Sequence, residues 1–519
     1  MNNMQNRLKY IECVVSLTLS VVILAGCNRP KVPDTFTTER DMPTIMPDYT
    51  EVTIPMGCCP LNFNVLEPGN NTVVRMSSGD LSYTYGDGMK VCIDEAEWQQ
   101  LCEKAVNSGN AENSVIKVEV FVDENNTWKA YKPFNIYVAA DTIDRYVSYR
   151  LIQPSYVSFE QMSLAQRDIT SFDETEIYDN SYVSTESNGQ CVNCHSYQNY
   201  HTDRMLFHLR QAYGGTMIVD GDKIEKVDMK TSQTISAGVY PAWHPTLNLV
   251  AFSTNLTGQT FHTKSVAKIE VQDTKSDLIM YDVAKNEIST IANDSDELEV
   301  FPTWSPDGNT LYYCSAYFLA DSSSNRAEAV ISGYQSIHYN LYAKDFNQTT
   351  REFGPRRLVY DAAAVGKSVS LPRVSPDGKR IVFSLGNFGC FHIWHPESDI
   401  YMLDLAHVGD SLTANPVRLD GLNSERAESY PSFSSNGRWI MTASRRDDGN
   451  YSRIYISYFD RQGKCHKAFE LPQRDPSFYT FFLKSYNRPE FMVEPVKISA
   501  KGFAAAAKKD AKKAKFVER

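Results

Sequence analysis

The sequence predicts a mainly all-β protein: a β-sandwich-like N-terminal domain followed by a β-propeller of five or six blades. Three observations carry this. A couplet of strand patterns recurs through the second half of the chain. The first half is strand-like, with a single helical segment. The composition, with 30 Tyr, 25 Phe, 26 Gly and 23 Pro, suits strands joined by many turns. At 519 residues the chain is too long for one small core, so two or three domains are expected. A formal net charge of −11 excludes a nucleic acid held by a body-wide basic surface.

Residues 1–27 read as an export signal. Arg7 and Lys9 form a positive leader, and the largely apolar run from Cys13 to Ala25 is too short to span a bilayer comfortably. Leu24-Ala25-Gly26-Cys27 resembles the lipobox of bacterial lipoproteins. That resemblance implies that Cys27 becomes a lipidated N-terminus and that the membrane is reached through this lipid. An ordinary signal peptide with a chance cysteine is the alternative. No acidic cluster follows in Asn28-Arg29-Pro30-Lys31, so a periplasm-facing anchor in the bacterial envelope is expected. Export also permits disulfides, and Cys92 with Cys102 is a possible local pair.

Residues 28–50 hold four prolines and no periodicity, which predicts a linker. Residues 51–185 form the β-rich N-terminal domain, with strand patterns at 114–122 and 134–138 and a helix around 95–106. The propeller is expected over 186–480. Four segments beginning at Tyr240, Phe301, Leu371 and Tyr430 each place Pro second, then a large apolar residue, a turn and an apolar strand. The turns Pro306-Asp307-Gly308 and Pro376-Asp377-Gly378 combine a fixed φ with a residue free to take φ > 0. A second strand pattern follows each, beginning at Asp277, Asn340, Asp399 and Arg453. One such unit cannot bury both its faces, so the repeats must stack about an axis. They resemble the TolB-type propeller family over roughly residues 185–475. A further repeat precedes the four, and a closing strand could come from outside them.

Cys191-Val192-Asn193-Cys194-His195 has the CxxCH spacing of c-type haem attachment. Two thiols at that spacing can add to the vinyl groups of one porphyrin, leaving His195 as the proximal iron ligand. Met205 and His208 are the candidate distal ligands, and His201 is a third. His208 aligns with Ser384 of a later repeat. Two alternatives remain open: a disulfide between Cys191 and Cys194, or a zinc site adding two of His195, His201 and His208. His392 and His395, near Cys390, are weaker metal candidates, and Cys58-Cys59 is a vicinal pair. Cys314, in an apolar strand, is expected to be a small buried hydrophobe.

The motif CVNCHSY, together with Tyr149-Arg150-Leu151-Ile152 and Tyr486-Asn487-Arg488-Pro489-Glu490-Phe491, resembles a family of TolB-like envelope lipoproteins carrying a cytochrome c-type motif. The resemblance implies architecture and location more than activity. Residues 481–519 are expected to be a C-terminal extension ending in a basic tail. Between Lys501 and Arg519 that tail carries seven Lys or Arg, and it reads as a frayed solvated helix or a contact with acidic envelope polymers. The functional expectation is a haem c lipoprotein in electron transfer or redox sensing. The alternative is a non-catalytic scaffold whose propeller face binds a protein or glycan partner. No GxSxG elbow occurs, and an enzyme is not the favoured reading.

Overall fold

The computed structural model describes residues 29–107, 114–154, 161–183, 190–319, 325–407 and 415–518. The expected signal segment, with Cys27, lies outside them. The protein is mostly β, with 49% strand and 10% helix. Among the described residues, no helix is long and apolar enough to cross a membrane.

Residues 29–107 and 114–139 build a seven-stranded sheet and a small three-stranded one of Ile45–Met46, Phe63–Val65 and Lys90–Val91. The centre of the larger sheet is Val115–Glu124, bonded to Asn71–Ser78 on one side and reaching Phe134–Ala139 and Thr53–Pro55 on the other. The helix Glu95–Val106 lies on this sheet and buries Trp98, Leu101, Cys102 and Ala105. Asp94 caps it, accepting from the backbone N–H groups of Ala96 and Glu97. A sandwich was expected because alternating strands call for an apolar cover; here a helix supplies much of it. The expected linker is also folded. Thr37–Thr38 pairs with Thr127–Ala130, Ile45–Met46 pairs with Phe63–Val65, and Pro43, Ile45, Pro47 and Tyr49 are buried at every second position.

Five sheets of four strands follow in chain order, and each begins with its innermost strand. These strands are Gln190–Gln198, Val239–Trp243, Glu297–Trp304, Ser368–Val374 and Glu428–Phe433. A single bridge between Ser276 and Leu298 joins the second and third sheets. The sixth sheet draws on both ends of this region. Ser485–Met492 is its innermost strand, and Tyr146–Ile152, Ser163–Asp168 and Glu174–Asp179 complete it. Hydrogen bonding therefore crosses the boundaries expected at 185 and 480. Each innermost strand adjoins the next, and Ser485–Met492 adjoins both Glu428–Phe433 and Gln190–Gln198.

The basic tail is ordered as well. Helix Ala500–Ala507 buries Phe503, whose ring meets Phe207 at 5.1 Å. Lys512–Lys513 then adds in parallel to the outer strand Lys223–Asp228 of the first sheet, and Lys515–Phe516 to Glu287–Ala292 of the second. Ala514 is buried and Phe516 half-buried while Lys512, Lys513 and Lys515 stay exposed, so one face of the tail packs and the ammonium groups remain in water.

Candidate functional site

All six innermost strands carry the same irregularity. Two residues oppose one at Cys194-His195, Tyr240-Pro241, Phe301-Pro302, Leu371-Pro372, Tyr430-Pro431 and Arg488-Pro489. The first residue of each pair has a φ between 49° and 56°. Such bulges free one residue from the ladder and sharpen the local twist, which makes the second position hospitable to proline. Cys194 and His195 thus fill the slot that five other strands give to a residue followed by proline. The signal was present in the sequence: aligning His195 with Pro241, Pro302, Pro372 and Pro431 reproduces this equivalence.

The bulges set what lies between these six strands. The next residues, Ser196, Ala242, Thr303, Arg373, Ser432 and Glu490, line one cavity of about 170 Å³. So do Tyr197, Trp243, Trp304, Val374, Phe433 and Phe491, one position further on. A smaller cavity of about 40 Å³ is lined by Tyr240, Phe301, Leu371, Tyr430, Arg488 and four of the prolines. Tyr240 and Phe301 meet edge to face at 4.5 Å there. Two guanidinium groups face one carboxylate: Arg373 pairs with Glu490, and Arg488 Nε stands 3.6 Å from the same carboxyl. Arg488 also donates to the Pro241 carbonyl at 3.3 Å. Sequence reasoning missed Arg373, Arg488 and Glu490 as a group, because their meeting depends on strands distant in the chain being brought together.

The CxxCH residues lie in the strand Gln190–Gln198, bonded along its length to His201–Gln211. Cys191 is buried among Val192, Met205, Phe207 and Leu209, and burial pushes its thiol pKa up. His195 is fully buried, and neither ring nitrogen makes a well-formed hydrogen bond. Burial, and then the positive charges of Arg488, Arg150 and Arg373, hold its pKa well below the usual imidazole value, so the ring is neutral. Arg150 reaches from the sixth sheet to Asn193 Oδ1 and the Val192 carbonyl, and bonds Asn487 Oδ1 within its own sheet.

The two proposed distal ligands point apart. Met205 pairs with Tyr197 and packs beside Cys191, whereas His208, three residues on along a regular strand, faces the opposite side. His208 Nδ1 lies 3.2 Å from Thr216 Oγ1, and burial lowers its pKa to about 3. The orphaned His195 ring would suit an iron ligand, but the rest of the site does not fit a porphyrin. The strand is held in its sheet, Cys191 is packed in a core, and neither of these cavities is lined by Cys191, Cys194, His195, Met205 or His208. A haem there would have to displace the strand or the side chains beneath it.

The metal alternatives fare no better. Among the described residues, the grouping of three metal-ligating side chains that forms is His201, Asp203 and Glu494, mostly exposed, and it includes neither cysteine. Cys191 and Cys194 are free thiols. The expected Cys92–Cys102 pair is not formed: Cys92 is exposed, while Cys102 is on the buried face of the helix Glu95–Val106. His395 instead pairs with Glu270 at 2.6 Å, and His392 Nε2 contacts the carbonyls of Phe388 and Gly389. Cys314 is fully buried.

No family model and no curated protein matches the chain. Among solved structures, prolyl oligopeptidase B from Galerina marginata aligns at 10% identity with a TM-score of 0.33, over 68% of this chain and 42% of that one. An ancestral GH74 enzyme aligns at 9% identity and TM-score 0.33, over 64% and 40%. A DUF4784 family protein from Bacteroides caccae aligns at 8% identity and TM-score 0.33, over 83% and 97%. The chain spans less than half the length of the first two. Likeness this distant bears on neither activity nor partners.

Proposed function

We propose that the chain is a lipid-anchored, periplasm-facing scaffold built as a closed six-bladed β-propeller, and that it binds a protein or glycan partner at the mouth of its axis. One observation carries this reading: six equivalent bulges arrange serine, threonine, arginine, glutamate and aromatic side chains around one cavity. Convergent polar groups among aromatic walls are the ordinary make-up of a recognition site. Neighbouring innermost strands meet around the whole set, with the last beside the first, which supports closure. The lipid anchor rests on the resemblance of Leu24-Ala25-Gly26-Cys27 to a lipobox.

Asn199 is exposed at the rim of the cavity, so a photo-crosslinking residue placed there tests the reading in the native envelope. A discrete adduct is expected from that position and not from Val266, an exposed residue in the loop between the long strands Leu249–Phe261 and Ile269–Asp282. Equal crosslinking from both, or none from Asn199, would remove the axial mouth as the binding surface.

A further inference from the structure

A cleft of about 620 Å³, larger than either axial cavity, opens between the N-terminal region and the fifth repeat sheet. Junctions of this kind are favoured places for small ligands. Glu470, from the strand Phe469–Glu470, lines it at 6% exposure, and its Oε1 accepts no hydrogen bond. A buried polar atom left without a partner costs about 1–3 kcal/mol, so this oxygen calls for a donor from outside the chain. The Glu470 carboxyl otherwise shares a hydrogen bond with Asp447, whose Oδ1 accepts from the Tyr455 hydroxyl at 2.8 Å. Burial first, and Asp447 second, raise the Glu470 carboxyl well above the usual carboxylate range, which leaves it neutral rather than charged.

The cations nearby are already engaged. Arg446 lies 3.9 Å over the Tyr455 ring, and Arg453 donates to the carbonyls of Lys484, Phe482 and Tyr479. Lys467 bonds Asp48 at 2.8 Å. With four carboxyl groups and three cations in the lining, and Glu470 protonated, the cleft has no net charge to offer an ionic ligand. One edge is apolar and open: Met46, Leu66 and Leu483 are 37%, 53% and 64% exposed. A neutral ligand rich in hydroxyl donors, with a C–H face to lay on that edge, matches these features together.

We propose that this cleft is a second binding site, separate from the axial mouth, and that it takes a neutral oligosaccharide whose hydroxyl groups bond Glu470 and Asp447. The test is calorimetric titration of the full mature protein with maltohexaose, mannohexaose and xylohexaose. One of the three is expected to bind with a Kd below about 1 mM. Glu470→Ala should weaken it by about tenfold or more, the loss of one or two hydrogen bonds. Asp447→Asn keeps the side-chain size and an oxygen that can accept from Tyr455, and should weaken binding as well. No binding by any of the three at about 5 mM would overturn the proposal. So would binding unchanged in both variants, or tighter binding of a neutral Gly-Ser decapeptide. Crosslinking from Asn199 reads the axial site independently of all these outcomes.

Discussion

His195 stands where five other innermost strands have proline, and its ring is neutral, buried and without a well-formed hydrogen bond. Replacing it with proline supplies what those strands already use, so His195→Pro should keep the fold, with stability changed by about 1 kcal/mol or less. Met205→Ala, by contrast, empties a packed core position and should cost about 2–5 kcal/mol in urea denaturation. An iron ligand would reverse this order in material carrying haem. Protein from a host competent for haem attachment is expected to show no Soret band, which an absorption spectrum checks directly. His208 makes a pH-dependent contribution whose sign follows from its environment. Its folded-state pKa of about 3 lies below the unfolded value of about 6.5. Between those limits the unfolded chain takes up a proton that the folded ring refuses. Stability should therefore fall by about 1.4 kcal/mol for each pH unit on acidification through that window. Asp273 works in the opposite sense: burial raises it to about 6, so acidification from about 6 to 4 favours the folded state there. His208→Ser, which installs the residue found at the equivalent Ser384 position, should flatten the loss measured by urea denaturation between about pH 6.5 and 4.5.

At the scale of elements, the C-terminal tail turns an expected solvated segment into an edge cover. An outer strand left open presents unpaired backbone groups that invite another chain, and parallel addition of Lys512–Lys513 and Lys515–Phe516 covers part of two such edges. Asn286 Nδ2 and Lys226 Nζ bond the tail carbonyls of Lys513 and Ala507, which fixes its path. Phe503 anchors the preceding helix, so Phe503→Ala should cost about 3–5 kcal/mol. A lowered thermal midpoint with earlier aggregation on heating is the expected outcome; an unchanged midpoint would mean that the tail docks without contributing.

For the molecule as a whole, stability depends on joining distant parts of the chain. Arg150 pairs with Asn487 and Leu151 with Tyr486, so the sixth sheet holds the start of the repeat region to its end. Removing everything after residue 484 deletes the innermost strand of that sheet, exposes Tyr149 and the strand edge beside it, and also strips the tail. Such a truncation should lose a single cooperative transition in denaturant and be cleaved rapidly by protease. A variant that retains one sharp transition would show that the five in-line repeats are self-sufficient.

Local pattern was legible where local physics decides it. The Pro-Asp-Gly turns, the apolar strands after them and the helix around 95–106 follow from propensities within a few residues. The alignment of His208 with Ser384 could be read in the same way, and the register places them opposite Asn193 and Ser370 respectively. Three things needed the tertiary structure. Residues 29–50 are ordered by pairing with strands outside this segment, one of them far along the chain, which no periodicity within them could reveal. The cover of the N-terminal sheet depended on where one helix docked. The meaning of CxxCH turned on whether its strand was free or bonded, because two thiols and an imidazole at that spacing are chemistry only if room exists beside them. Spacing sets which atoms can reach a ligand; packing determines whether there is space for one.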